Sequence, residues 1–235
     1  MDMKKIFLAL FSAVIGTVAF GQSIYTTYSE CPEGAVDMGI VMTREDGTYY
    51  NIYWGTCNIG AETPEERGEF FAWGEIETKE SYNWDNYAYG DINEMTKYVV
   101  PTGNSYIGPA IRLSLDDDVA HVRLQGRWRM PTMGEWLALQ NQCDWQYEKL
   151  GELGGYRVTS RVNPENSIFL PIGGMIFGDV MYDYGGEPYG HYWSSSLCVN
   201  SPGSAWYFTF NKWILSPYQG AAYRYYGYNV RPVSE

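Results

Sequence analysis

Positive charge is scarce in this 235-residue chain, which has 16 Lys and Arg against 28 Asp and Glu and a formal net charge of −12. Proteins that bind nucleic acid need clustered Lys and Arg to neutralise phosphates, so the composition argues against that function. The same charge disfavours binding to anionic lipid surfaces. We interpret the acidity as a solubility feature of a protein outside the cell and expect no nucleic-acid partner.

Histidine and closely spaced cysteine are also scarce. The only histidines are His121 and His191, and no Cys-x-x-Cys motif is present. Zinc sites need clustered Cys and His ligands, so we expect no metal site and no cofactor. The cysteines are Cys31, Cys57, Cys143 and Cys198. They allow three disulfide connectivities, and both buried thiols and one or two disulfides remain open as alternatives.

Long apolar runs are absent beyond the N-terminus. Lys4 and Lys5 precede an apolar stretch, 6–20, that is too short to span a membrane comfortably. The segment ends at a small-x-small cleavage site, so we predict a signal peptide over 1–21, cleaved after Gly21. This predicts export to the periplasm, the cell surface or the extracellular space. No later run is long enough for a transmembrane helix.

Glycine, proline and aromatic residues are abundant, with 26 Gly, 11 Pro, 22 Tyr and 9 Trp. This composition is typical of loops and short strands rather than of long helices. We expect an irregular lead-in over 22–35 and a single domain over 36–235. Long ordered loops are expected over 60–110 and 173–190, the first of them held to the core by its aromatic side chains.

Alternation of apolar and polar residues predicts strands, and acidic or hydroxyl residues mark the helix starts. Asp116, Asp117 and Asp118 precede one short helix, and Thr132 with Glu135 forms a capping box for a second helix that ends near Cys143. The predicted strands cover residues 36–41, 49–59, 154–158, 167–172, 190–197, 205–210 and 224–233. An Asp-Gly turn joins the first two.

Seven stretches in order resemble the Fibrobacter major paralogous domain family of exported bacterial proteins. They are residues 36–39, 54–61, 70–75, 96–98, 128–132 with Glu135, 192–196 and 230–233. The resemblance covers about residues 30–235. It implies an α+β, C-type-lectin-like fold, in which two helices pack on a twisted antiparallel sheet with long loops. That fold is related to formylglycine-generating enzymes and to retroelement-diversified binding proteins.

The C-terminal tyrosines are the candidate binding residues. If Trp206, Phe208 and Phe210 face the core, strand alternation turns Tyr207 and Thr209 outward. The proposed contact surface consists of Tyr207, Thr209, Tyr218, Tyr223, Tyr225, Tyr226 and Tyr228. Tyrosine gives large contact area and adaptable hydrogen bonding, which predicts a non-enzymatic binding protein for a protein or glycan ligand. In retroelement-diversified relatives the variable positions fall in these same slots, which makes such diversification an expectation from the resemblance.

Catalytic arrangements find less support. The run Ser194 to Ser196 lacks a Gly-x-Ser-x-Gly elbow, and His191 shares its strand face with Trp193 rather than with Ser194. Cys198 has no paired redox cysteine nearby, which argues against formylglycine-generating chemistry. The alternative hypothesis is an enzyme of formylglycine-generating or carbohydrate-active lineage with an acidic, aromatic cleft. Its residues would be Trp84, Asp85, Asp179, Asp183 and Glu187.

Other prominent residues are expected to stabilise the fold. Arg129 and Arg231 resemble anion ligands, but we expect them to pair with nearby acids or carbonyls and to lock the sheet to the helices. Four tryptophans lie in family-like motifs among core-type residues and are expected to be largely buried and close together. They are Trp128, Trp136, Trp193 and Trp206.

Overall fold

A computed structural model describes residues 30–100, 111–182, 189–213 and 217–235. The predicted signal peptide lies outside the described residues. The strands are β1 (Ala35–Thr43), β2 (Tyr49–Gly55), β3 (Cys143–Leu150), β4 (Leu153–Ser160), β5 (Ser167–Pro171), β6 (Met175–Phe177), β7 (Val180–Tyr182), β8 (Gly190–Leu197), β9 (Ser204–Phe210), β10 (Tyr218–Tyr223) and β11 (Val233–Ser234).

Helical structure is limited to short segments. The α-helices are α1 (Val119–Leu124) and α2 (Met133–Gln142), with single 3-10 turns at Trp84–Asn86 and Leu115–Asp117. Within the described part of the chain, no helix is long and apolar enough to cross a membrane.

The strands pair antiparallel in four small sheets. Three sheets have three strands each, in the orders β1-β2-β11, β10-β9-β8 and β3-β4-β5, and the fourth is the β6–β7 hairpin. The Asp-Gly turn between β1 and β2 is confirmed, since the Gly47 amide donates to the Arg44 carbonyl. Of the loop predicted over 60–110, residues 60–100 are described and form no strand, and residues 101–110 lie outside the described residues. Phe70, Phe71, Trp73 and Tyr82 are buried and hold the described part to the core, as predicted.

Both predicted helix starts are confirmed. The Asp118 carboxylate accepts hydrogen bonds from the amides of Ala120 and His121 and caps α1. The Thr132 and Glu135 side chains form the reciprocal capping box of α2, which ends at Cys143. α1 stops after six residues because Gln125 and Gly126 both have positive φ values, 61° and 62°, which a right-handed helix does not allow.

The expected α+β class, with two helices packed on a sheet, is wrong. The described part of the chain is mostly β, with 40% strand and 12% helix, and only one helix in that part reaches seven residues. The C-type-lectin-like expectation came from the family resemblance, and the two helix starts agreed with it. Both starts exist in the structure. Neither start tells how far the helix continues, and here one is stopped by left-handed residues while the other runs directly into β3.

Several strand boundaries also differ from the predicted ones. β2 ends at Gly55, four residues before the expected end, and β3 was not predicted because its polar side chains lie on an exposed edge. The expected loop over 173–190 contains β6 and β7. The predicted strand 224–233 is not continuous: residues 224–226 form a turn, and residues 227–229 make only single backbone bridges, such as those of Tyr228 with Phe71 and of Gly227 with Ile176.

Strands β8 and β9 are largely buried on both faces, whereas β10 is mostly exposed. On one face, Tyr192, Phe208 and Phe210 pack in a core cluster with Trp136. On the other face, Trp193 and Ala205 belong to a second cluster that contains Phe71, Trp73 and Tyr228. Alternate residues of one strand therefore enter two different cores.

The four family-motif tryptophans are only partly as predicted. Trp136 and Trp193 are fully buried, and the Trp136 indole donates to the Trp193 carbonyl at 3.3 Å. Trp206 is half-buried and packs against the cluster of Trp136. Trp128 is half-buried and lines two surface clefts.

The structural roles of the two arginines are confirmed. The Arg129 guanidinium donates to both Glu135 oxygens at 2.6 and 2.8 Å. Because Arg129 also forms a backbone bridge with Val233, this pair joins β11 to α2. Arg231 is fully buried and donates to Asn58 Oδ1 and to three backbone carbonyls. Those carbonyls belong to Gly55, Thr56 and Phe169.

All four cysteines lie in the described part of the chain, and all four are thiols in this structure. Cys143 and Cys198 are buried, Cys57 is half-buried and Cys31 is exposed. Burial raises the pKa of the Cys143 thiol to about 11. Of the two alternatives left open by the sequence, the structure therefore has thiols and no disulfide among these residues.

Candidate ligand-binding surface

The predicted contact residues differ widely in exposure. Tyr218 and Tyr223 are exposed, and Tyr207 and Tyr226 are half-buried. Thr209 is completely buried, and Tyr225 and Tyr228 are also buried. The predicted surface is therefore not one continuous exposed patch.

The outward orientation predicted for Tyr207 and Thr209 is wrong for a physical reason. Strand alternation does place them opposite Phe208 and Phe210, as expected. The error lies in the assumption that the opposite face meets solvent, because the second core cluster covers that face. Tyr207 packs against this cluster, and its ring lies 5.0 Å from that of Tyr228.

The β6–β7 hairpin carries exposed apolar side chains that the sequence analysis did not single out. Phe177 is 39% exposed, and Val180, Met181 and Tyr182 are exposed as well. Strand β7 is exposed at all three of its residues. The sequence analysis predicted a loop here. The apolar residues 175–177 and 180–182, on either side of Gly178 and Asp179, could have indicated a hairpin.

Ring contacts join this hairpin to the C-terminal tyrosines. The Phe177 ring centroid lies 6.0 Å from that of Tyr182 and 5.5 Å from that of Tyr226. Tyr226 in turn lies 6.1 Å from Tyr223. We call the surface formed by Phe177, Tyr182, Tyr223 and Tyr226 the aromatic face.

Two further rings support the aromatic face from behind. The buried Tyr225 ring lies 4.8 Å from Tyr226 and 5.7 Å from Tyr223. Trp84, on the 3-10 turn, lies 4.7 Å from Tyr225 and 5.7 Å from Tyr223. Burial raises the pKa of the Tyr225 hydroxyl, so this hydroxyl stays protonated and can donate a hydrogen bond. The exposed rings thus rest on a packed aromatic layer.

Backbone hydrogen bonds fix the hairpin at two points. The amides and carbonyls of Tyr82 and Gly178 bond reciprocally at 2.7 and 2.9 Å. Ile176 and Gly227 form a second reciprocal pair, at 2.9 Å in each direction. The side chains of the aromatic face are therefore exposed while the backbone that carries them is held in place.

Gly227 allows the close approach of these segments. A Cβ at this position would lie 3.0 Å from the Tyr82 ring and 3.1 Å from the Ile176 Cβ. Both neighbours are held by backbone pairing, so they cannot move away easily. This residue connects the aromatic face to the fold beneath it.

A histidine lies in the aromatic layer at the other end of Tyr228. The His191 ring stacks on Tyr228 at 4.9 Å and on Tyr189 at 5.5 Å. Burial lowers the pKa of His191 to about 3, so the ring is neutral near pH 7. A neutral, buried imidazole between two rings acts here as a packing residue.

The serine run is engaged in structural hydrogen bonds. The Ser194 hydroxyl donates to the Trp206 carbonyl at 2.8 Å, and the Ser196 hydroxyl accepts from the Met133 amide at 3.1 Å. Ser194 and Ser195 are both buried. These contacts agree with the expected structural role of the run.

The acidic cleft of the alternative hypothesis is only partly described. Asp183 and Glu187 lie outside the described residues. Asp85 and Asp179 are both exposed, and Trp84 packs against tyrosines rather than against a carboxylate. Nothing in the described geometry joins two of these acids across a cleft.

A different cleft does contain acids, and they are already paired. It has a volume of about 400 Å³ and includes Glu75 and Asp117 in its lining. Glu75 binds Lys79 at 2.6 Å, and Asp117 accepts hydrogen bonds from Lys97 and Tyr98. Burial alone would raise the pKa of Asp117, but these hydrogen bonds lower it, so it remains an ionised structural acceptor.

Among the described residues, no group of three or more His, Cys, Asp or Glu side chains is arranged to hold a metal ion. Comparison of the chain with protein-family models, with curated proteins and with solved structures gives no match. The resemblance to the Fibrobacter major paralogous domain family therefore stays a prediction from the sequence.

Proposed function

We propose that this chain is an exported, non-enzymatic binding protein that presents the aromatic face to a protein or glycan ligand. The observation that carries the proposal is the concentration of exposed rings on one supported surface. Phe177, Tyr182 and Tyr223 are each about two-fifths exposed, at 39%, 38% and 41%, and Tyr226 connects them. Large exposed apolar patches on soluble proteins mark interaction sites.

The arrangement of the rings supports binding over a purely structural role. Tyrosine and phenylalanine lose few rotamers on contact, and the tyrosine hydroxyls add hydrogen bonds. Because the hairpin backbone is already paired with Tyr82 and Gly227, little ordering is needed when a ligand binds. A surface that is fixed before contact retains more of its interaction energy as affinity.

The experiment compares two triple variants on an array of purified glycans and an array of purified extracellular proteins. The first variant combines Phe177→Ala, Tyr223→Ala and Tyr226→Ala. The control combines Tyr49→Ala, Tyr147→Ala and Trp213→Ala, which removes three other exposed rings. We expect the first variant to lose the ligands that the wild type and the control retain.

Both variants are checked for folding by circular dichroism and thermal unfolding before the arrays are read. Retention of ligands by a folded first variant would show that the aromatic face is not the binding surface. Equal loss in both variants would show that binding depends on general apolar exposure. Either result contradicts the proposal.

A further inference from the structure

The three larger sheets have six outer edges. In the described part of the chain, four of them are blocked by contacts and a fifth, on β3, carries charged residues. The edge of β1 has a bulge after Asp37, and its Met38 carbonyl accepts from Ser160 Oγ. The edge of β11 pairs with Arg129. The edge of β8 makes bridges to Arg112 and Asn229.

The two edges of the remaining sheet are protected differently. On β5, the Phe169 and Pro171 carbonyls accept from Arg231 and Tyr192. β3 is open, but three of its eight residues are charged. They are Asp144, Glu148 and Lys149. Charges on an exposed edge prevent another strand from pairing with it.

Strand β10 has none of these protections. Its sequence, Tyr-Gln-Gly-Ala-Ala-Tyr, contains no charged residue and no proline. In the part of the chain described here, the backbone of residues 219–222 hydrogen bonds only with β9. In an antiparallel pair, alternate residues direct their N–H and C=O groups away from the partner, so these groups of β10 face outward along an open edge.

We propose that β10 pairs antiparallel with β10 of a second copy of this chain, which would join the two β10-β9-β8 sheets into one six-stranded sheet. A two-fold axis perpendicular to a sheet passes through a pair of equivalent residues. Centred on Gly220, it places Gly220 opposite Gly220, Gln219 opposite Ala221 and Tyr218 opposite Ala222. Small residues then meet at the centre, and each exposed Tyr218 lies opposite the buried Ala222 of the other copy, whose small side chain does not obstruct the ring.

The self-complementary distribution of side-chain sizes is what favours a second copy over another partner. Both central residues are small, and tyrosines occupy the two ends of the strand. The strand therefore fits its own edge without further adjustment. The inference does not depend on the ligand of the aromatic face, although Tyr223 lies at the border of both surfaces.

Electrostatics predicts how the association responds to salt. Each copy carries a formal charge of −12, and no charge on β10 offsets the repulsion. Salt screens repulsion between exposed charges, so we expect the dimer to become tighter as salt increases. A dimer held by ion pairs across the interface would respond in the opposite direction.

The experiment is sedimentation equilibrium of the full mature chain over a range of protein and salt concentrations. Ala221→Lys places a charge at an exposed position of the β10 edge, and Gln146→Lys places the same charge on the β3 edge. Since each lysine reduces the overall negative charge equally, long-range repulsion changes in the same way in both variants. We expect Ala221→Lys to raise the dimer dissociation constant at least about tenfold and Gln146→Lys to leave it unchanged or lower it.

Hydrogen exchange locates the interface directly. Amides of residues 219–222 are expected to exchange more slowly as protein concentration rises in the wild type, and not in Ala221→Lys. A wild type that is monomeric under all conditions overturns the proposal. So does a dimer whose dissociation constant responds equally to both lysines, or one that leaves the β10 amides unprotected.

Discussion

The rings around Trp193 and the rings of the aromatic face are neighbours of similar composition, yet they differ in what surrounds them. The Trp193 indole is fully buried, lies tilted against the Tyr228 ring at 4.4 Å and donates to the Phe71 carbonyl at 2.7 Å. The Tyr226 ring also lies 6.0 Å from that of Tyr228, but Tyr226 is only half-buried. In this chain, residue type alone therefore does not distinguish buried rings from exposed rings. A ring is buried where it packs on the second face of the β8–β9 strands, and it is exposed where it lies on the β6–β7 hairpin, whose backbone is paired.

The largest expected effect is at the buried end of this aromatic layer. Trp193→Ala should cost about 3–5 kcal/mol, because it leaves a cavity in the core and removes the indole hydrogen bond to the Phe71 carbonyl. That loss is comparable with the net stability of a whole domain, so little soluble protein is expected. Chemical denaturation measures it in any protein that can be purified.

The matched control is Trp213→Ala, the same change at a position that is 62% exposed. We expect this variant to express and unfold like the wild type, since surface substitutions rarely exceed about 0.5 kcal/mol. Equal stability losses in the two variants would break the comparison, because they would mean that Trp193 and Trp213 have similar surroundings.

The pH dependence of stability tests the middle of the layer, at His191. Its folded pKa of about 3 is below the ordinary value of 6.5, so between these values the unfolded chain binds the proton more readily. The stabilising contribution of neutral His191 to the folded state is therefore complete above pH 6.5 and is lost as pH falls toward 3. We expect His191 to reduce the free energy of unfolding by about 2 kcal/mol at about pH 5 relative to about pH 8.

His191→Phe keeps an aromatic ring between Tyr189 and Tyr228 and removes the titrating group. The wild-type and variant profiles of unfolding free energy against pH should have the same slope above pH 6.5. Below pH 6.5 they should diverge, with the flatter profile in the variant. Parallel profiles over the whole range would show that His191 is hydrated rather than enclosed by these rings.

A smaller effect is expected at the boundary between core and contact surface. Gly227→Ala pushes a Cβ to 3.0 Å from the Tyr82 ring and should cost about 1–3 kcal/mol. Gly134→Ala is the control, because it lies in α2 with no atom nearer than 3.9 Å and should stabilise the helix by up to about 1 kcal/mol. Thermal unfolding should therefore shift in opposite directions in these two variants. A shift in the same direction would mean that the hairpin is not held at Gly227.

The sequence predicts the local elements of this fold well. Asp118 and Thr132 start helices because their oxygens accept the first free amides, a rule that needs only neighbouring residues. The Asp46-Gly47 turn and the β4 and β5 strands follow from equally local patterns. The pairing of Arg129 with Glu135 also follows, because both partners lie within six residues.

What the sequence does not predict depends on contacts between distant segments. Tyr207 is half-buried because the cluster that contains Phe71 and Tyr228 packs against it, and nothing beside Tyr207 in sequence indicates that cover. Phe177 lies beside Tyr226 because its hairpin pairs through the backbone with Tyr82 and Gly227. The fold class failed for the same reason, since sheet partners rather than helix starts determine how much of the chain is extended.

The pairing of Tyr82 with Gly178 and of Ile176 with Gly227 has a consequence for how this molecule can change over evolutionary time. Main-chain groups hold the hairpin, and main-chain groups are the same in every non-proline residue. The exposed positions 177, 180, 181 and 182 can therefore accept new side chains while the scaffold stays intact. Substitutions at these four positions can therefore change the chemistry of the exposed surface while the fold is retained.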